Sequence, residues 1–212
     1  GGTGPNNYTK IQHAIDKASS GQEIYVYNDS SPYYENLLIA KTIILRGEDK
    51  TSTIIDGQNA YHVITITADN VHISEFTIQY GGHYWSNIGV YITASDTQIT
   101  HNIIKHSANG IFIEGGYNTT IKHTLLTQNN YHAIRLEYTD QNTIDNNIIT
   151  NNDNGIYLWE SNNNLITNNI INNNNWEGII IGQYSNNNHI YHNDLLGYPT
   201  EHAFDLSNNT WD

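Results

Sequence analysis

A chain of 212 residues carrying a formal charge of −13, with eight Lys plus Arg and no Cys, lacks the basic surface needed to grip nucleic acid or anionic lipid. It builds no disulfide framework, and no run approaches the ~18 apolar residues of a membrane span, so neither nucleic-acid binding nor membrane insertion is expected. Its 37% hydrophobic content is low for a compact globular core, which points to a thin or repetitive one.

The opening Gly1-Gly-Thr-Gly-Pro is not a signal peptide and suits a mature or excised portion of a longer protein. Residues 8–20 form the one predicted helix, with Thr9 as N-cap, a stripe of Ile11, Ala14, Ile15 and Ala18, and Gly21 as the stop. Residues 23–60 hold less regular strands: Glu23-Ile-Tyr-Val-Tyr, Asn36-Leu-Leu-Ile, Thr42-Ile-Ile-Leu-Arg-Gly and Thr53-Ile-Ile-Asp-Gly.

From residue 61 to 208 the chain repeats. Ile73, Ile99, Ile121, Ile144, Ile166 and Ile190 open successive units of about 22–26 residues. A second anchor keeps pace: Gly89-Val-Tyr-Ile, Gly110-Ile-Phe-Ile, Ala133-Ile-Arg-Leu, Gly155-Ile-Tyr-Leu, Gly178-Ile-Ile-Ile and Ala203-Phe-Asp-Leu. Both anchors alternate with period two, and no unit has room for a long helix. Three short strands and three turns per unit make one coil of a parallel β-helix, an all-β solenoid in which each coil buries its inner face on its neighbours. An amphipathic helix before the first coil is the expected cap. The 33 asparagines cluster at turns, where Asn accepts left-handed backbone angles; stacked from coil to coil they would bond along the axis as a ladder. Four Asn-x-Ser/Thr sequons, at Asn7, Asn28, Asn118 and Asn208, permit glycosylation.

The run IQHAIDKASSGQEIYVY, then YYENLLIAKTIILRGEDKTSTIIDG, then coils of the form NxIxxNxIxxNxxGIxL resembles the NosD-type β-helix domains of the pectate-lyase-like superfamily. The resemblance covers nearly the whole chain. It implies a right-handed, single-stranded parallel β-helix forming one domain over residues 1–212. It also implies kinship with carbohydrate-binding proteins and sugar hydrolases, and NosD-type proteins are associated with copper-site maturation. The motifs that carry it are structural, so activity does not follow from them. Similar chains often run on past a comparable Asn-x-Trp-Asp stretch. A following domain or end-to-end self-association is therefore expected at the last coil, which has no cap.

Alternation sorts side chains by face. Ile64, Val90, Ile111, Ile134, Ile156, Ile179 and Phe204 are expected inward, as are Ile66, Ile92, Ile113, Leu136, Leu158, Ile181 and Leu206. Outward rows then place Tyr91, Phe112, Arg135, Tyr157 and Trp159 beside Glu114 and Glu137, and the preceding loops add His83, Tyr84, Trp85, His106, Tyr131, His132, Trp176, Glu177 and His202. Aromatic platforms with carboxylates and an Arg suit sugar rings. Plain stacking along a sheet is the competing account.

Catalysis on this face is the alternative. Glu114 and Glu137 have the spacing of a retaining glycosidase pair but point the same way. In a uronate lyase, Arg135 with His132 or His106 would supply the base, and Ca²⁺ would neutralise the substrate. No other cofactor is expected. Glu75, His101 and His123, on adjacent coils, carry Zn²⁺ or Cu²⁺ ligand types, but they fill turn slots that other coils give to Asn, and the turn reading is preferred. An ice-binding Thr array ends after two coils. The function expected is a secreted or cell-surface module that presents a polysaccharide- or glycan-binding face.

Overall fold

The computed structural model describes residues 7–82, 84–197 and 202–212. Three parallel sheets run the length of the molecule, and each coil adds one strand to each. The first sheet has nine strands, from Glu23–Val26 to Thr210–Trp211; the second has eight, from Tyr33–Tyr34 to Asp194–Leu196; the third has eight, from Leu37–Ile39 to Ala203–Asp205. This is a β-solenoid of about eight coils. The first coil already contributes to all three sheets, because Tyr33–Tyr34 pairs with Ile55 and Asp56, a strand that the local sequence does not announce.

Strands form because β-branched residues alternate, and they stack because one residue per strand repeats inward. In the first sheet Leu45, Ile73, Ile99, Ile121, Ile144, Ile166 and Ile190 lie in register, all buried. The second sheet adds Ile55, Ile78, Ile104, Leu126, Ile149 and Ile171. The third supplies two inward columns, as alternation predicts, through Ile179 and Ile181. Each such Ile contributes roughly 1.5–3 kcal/mol on burial. The small residue at the second position of the long third-sheet strands, such as Gly155 in Asn154–Trp159, is a packing requirement: a Cβ there would collide with the carbonyl oxygen of Gly178.

The last coil departs from the expected rows. Ala203, not Phe204, pairs with Ile179, and Asp205 pairs with Ile181, so Phe204 is 42% and Leu206 53% exposed. The 13-residue step from Ile166 to Ile179 is kept from Ile190 to Ala203, and this step decides the register against the apolar look of Phe204. Asp205 then accepts hydrogen bonds from the Ser207 amide (2.9 Å), Asn209 Nδ2 (2.9 Å) and Trp211 Nε1 (2.8 Å).

The corners are built from left-handed residues followed by buried amides. Among the described residues, twenty-two that are not glycine have positive φ, including Glu75, His101, His123, Asn146, Asn168 and His192 at one corner. Behind the corners, side-chain amides bond along the axis. Asn142 Nδ2 donates to Asn164 Oδ1 (2.9 Å), Asn164 to Asn188 (3.0 Å) and Asn188 to Asn209 (2.9 Å). The same pattern joins Asn147, Asn169 and Asn193.

The helix is shorter than expected, Ile11–Lys17. Its N-cap position is Lys10, without a side-chain cap, rather than Thr9. Glu35, reaching over from the first coil, accepts from the Ile11 amide (2.8 Å) and the Gln12 amide (3.0 Å), satisfying two orphan N–H groups and placing negative charge at the positive helix end. The helix ends at Lys17, ahead of Gly21, and Ile11 and Ile15 join the hydrophobic core.

Candidate functional site

The third sheet brings most of the expected face together. Its outward column reads Thr65, Tyr91, Phe112, Arg135, Tyr157, Ile180 and Phe204. The neighbouring column reads Glu114, Glu137 and Trp159. Successive members stand one coil apart, ~4.8 Å.

The rings in the first column touch one another. Tyr91 and Phe112 have centroids 5.5 Å apart at 41°, the Arg135 guanidinium lies 4.6 Å over Phe112, and Phe112 is 8% exposed. His132 stacks on Tyr157 at 4.8 Å and 18°. Trp159 is half-buried, its ring lying across Gly182. Ring faces are thus spent largely on neighbours, and what the column offers outward is ring edges and polar tips. The carboxylates are also engaged. The Tyr91 hydroxyl donates to Glu114. Arg135 donates twice to Glu137 Oε1, from Nε (2.9 Å) and from a terminal nitrogen (2.6 Å).

Electrostatics follow from these contacts. Burial, the bond to Glu114 and the charge of Glu114 push the Tyr91 hydroxyl up to about 12. Burial, and then the Arg135 charge, bring His132 down to about 4, so it is neutral at neutral pH. Its Nδ1 is buried without a partner among the described residues. Such an imidazole is a poor base at neutral pH. His106 is not on this face. It sits at the preceding corner, in the left-handed region, stacked on Tyr80 at 5.0 Å and 11°.

Open ring faces are found at the corner that leads into the third sheet. Trp85 is 64%, Tyr131 43% and Trp176 60% exposed. Backbone bonds set Tyr131 and Trp176 in one column two coils apart, since the Tyr131 amide donates to Ala108, the Asn154 amide to Tyr131 and the Trp176 amide to Asp153, while Trp85 stands in the turn before its strand. Asn109 Nδ2 holds the Trp85 carbonyl at 2.9 Å. Tyr84 is exposed beside Trp85, and Glu177 is half-buried beside Trp176. His202 leads into the last third-sheet strand, its carbonyl accepting from the Gly178 amide at 3.0 Å. His83 lies outside the described residues.

Sequence reasoning missed His62, which stacks on Tyr91 at 4.7 Å and 32° and accepts from the Ile88 amide at Nδ1 (3.2 Å). The signal was available: His62 precedes Val63-Ile64 as His132 precedes Ala133-Ile134. At another corner Glu75, His101 and His123 occupy one left-handed column, with the two imidazoles 4.8 Å apart.

Among solved structures, the Dettilon tailspike protein (gp208) is similar with a TM-score of 0.62 and 16% identity over 86% of this chain. The chain spans 45% of that tailspike's length. An Azotobacter vinelandii mannuronan C-5 epimerase A-module is similar with a TM-score of 0.52 and 12% identity, over 94% of this chain and 70% of that one. At these identities the likeness is one of fold. No curated protein matches the chain in sequence. The family described as periplasmic copper-binding protein (NosD) matches residues 15–212, and with its three parallel sheets, its Ile columns and its buried corner amides the chain belongs to the NosD family of β-helix proteins.

Proposed function

We propose that this chain is a carbohydrate-binding β-helix module of the extracytoplasmic space, and that its ligand sits on the third sheet and the corner leading into it. The observation that carries this reading is the set of exposed aromatic faces of Trp85, Tyr131 and Trp176 on one edge of a rigid sheet. Flat apolar rings held by a fixed backbone bind pyranose faces at low entropic cost, because little needs to be ordered on association. The Tyr91, Glu114, Arg135 and Glu137 groups beside them supply donors and acceptors for hydroxyls. The family description is periplasmic, which favours an extracytoplasmic setting; among the described residues no helix is long and apolar enough to cross a membrane.

The same face supports an enzymatic alternative less well. Glu114 and Glu137 are register neighbours on one side of any ligand, whereas a glycosidase pair must flank the scissile bond. His132, which burial and then the Arg135 charge keep neutral, is poorly basic.

Copper, named in the family description, does not fit the residues present. The chain has neither Cys nor Met, and among the described residues no three His, Asp or Glu side chains converge. His101 and His123 are exposed turn residues.

The test is a glycan-array screen joined to an assay for new reducing or unsaturated chain ends, with and without Ca²⁺. Binding without new ends, weakened about fivefold or more by Trp176→Ala or Trp85→Ala, is expected, by analogy with flat bases stacked on aromatic side chains, worth on the order of 1–3 kcal/mol each. New chain ends would replace this reading with the enzymatic one. Silence in both assays would leave the chain as a structural rod.

A further inference from the structure

Beside the aromatic corner lies an open trough of about 680 Å³ that runs across several coils. Its walls carry His106, Gln128, Asn130, Asn151, Asp153 and Asn175. Its floor is fixed: Asn129 Nδ2 donates to Asn152 Oδ1 (2.9 Å) and Asn152 Nδ2 to Asn174 Oδ1 (3.0 Å). His106, Gln128 and Asn151 have φ of 55°, 56° and 58°, so they leave the corner alike on successive coils, ~4.8 Å apart. Asn130 and Asn175 immediately precede Tyr131 and Trp176 in sequence, and all four are exposed. Amide wall and aromatic wall therefore adjoin.

The lining is short of charge. Among the described residues, four side chains on the wall are amides, and the one carboxylate, Asp153, accepts from Asn175 Nδ2 at 2.7 Å. No Lys or Arg among the described residues lines the trough. Burial of His106, and then the charge of the adjacent Lys105, favour the neutral imidazole. In a chain of net charge −13, a polyanion entering this trough meets a carboxylate and general repulsion, with Lys105 beside His106 at one end as a single nearby cation. Sugar hydroxyls, by contrast, match amides, which both donate and accept.

Building on the glycan-binding reading above, we infer that the trough seats an uncharged, extended polysaccharide lying along the rod axis, with hydroxyls on the amide wall and pyranose faces on Tyr131 and Trp176. The site discriminates against uronic-acid polymers, unlike a protein whose name, mannuronan C-5 epimerase, specifies a polyuronate.

The experiment is isothermal titration at low salt with uncharged hexasaccharides (β-linked gluco-, manno-, xylo- and N-acetylglucosamine oligomers) and with oligogalacturonate and oligomannuronate. At least one neutral oligomer should bind, with both uronates at least tenfold weaker. Asn130→Ala with Asn151→Gly, the glycine keeping the left-handed corner, should weaken neutral binding at least tenfold while circular dichroism and thermal unfolding stay unchanged. Asn151→Lys should narrow the gap to the uronates. Uronates binding as tightly as neutral chains would overturn the inference; if Trp176→Ala then abolished that binding, the broader glycan reading would stand. Full affinity in the folded double variant would also overturn it. Absence of binding by either class would sink both readings.

Discussion

Asn164 accepts from the Asn142 backbone (2.8 Å) and side chain (2.9 Å) and donates to Asn188 (3.0 Å), all buried. Asn164→Ala takes the shared acceptor from two buried N–H donors of Asn142 and one of two donors from Asn188 Oδ1, and a loss of roughly 2–4 kcal/mol is expected in urea unfolding. Asn164→Asp should do more damage at neutral pH, because a buried carboxylate would face the Asn188 oxygen, and part of the loss should return on acidification. Equal unfolding midpoints for wild type and both variants would show that the column carries no stability. His132 provides a pH dependence at the same scale. Its folded pKa of about 4 lies below the ordinary 6.5, so the fold holds it neutral while the unfolded chain protonates it. Its favourable contribution is therefore complete above pH ~6.5 and is lost as pH falls towards ~4, amounting to roughly 3 kcal/mol at most. His132→Gln should flatten the stability profile across that window and nowhere else.

Among the elements, the helix depends most on a residue far from it in sequence. Glu35→Gln removes the charge but keeps an acceptor, and Glu35→Ala removes both; losses of about 0.5 and about 1–2 kcal/mol are expected, read as lower thermal midpoints in that order. An unchanged midpoint for Glu35→Ala would mean that solvent caps the helix equally well. This cap was not legible locally, since Glu35 lies 24 residues from Ile11, and Thr9 looked the better candidate. The third sheet was legible because Gly-Ile-x-Leu carries both period two and a small lead residue, and it placed Tyr91, Phe112, Arg135, Tyr157, Glu114 and Glu137 on one face. What alternation could not foretell is how rings on that face orient. Stacking hides the faces of Phe112 and Tyr157, and exposure passes to Trp85, Tyr131 and Trp176 on corners where period two does not apply. The last coil was misread because Phe204 is apolar in a position where chain length, not hydrophobicity, sets the register.

On the scale of the whole molecule, eight steps between nine first-sheet strands at ~4.8 Å make a stack about 40 Å long. A charge of −13 is spread over it, with few cations to offset it. Self-repulsion of this kind is screened as the Debye length falls from ~30 Å at 0.01 M to ~3 Å at 1 M salt. The thermal midpoint should rise steadily with sodium chloride over that range, and a flat response would show that local pairs such as Lys122–Asp145 (2.7 Å) already balance the fold.

The strands of residues 142–163 and 164–187 lie in register on one another throughout, and both stretches repeat the order Ile, Asn-Asn-Ile-Ile, Gly-Ile and Ser-Asn-Asn. A third copy placed between them would find the same carbonyls, the same amide partners and the same isoleucines above and below. Length in this molecule is thus a heritable quantity, adjustable by one coil through duplication of a short stretch of gene, while both ends keep their structure. The spacing between aromatic contacts would change with it in fixed increments.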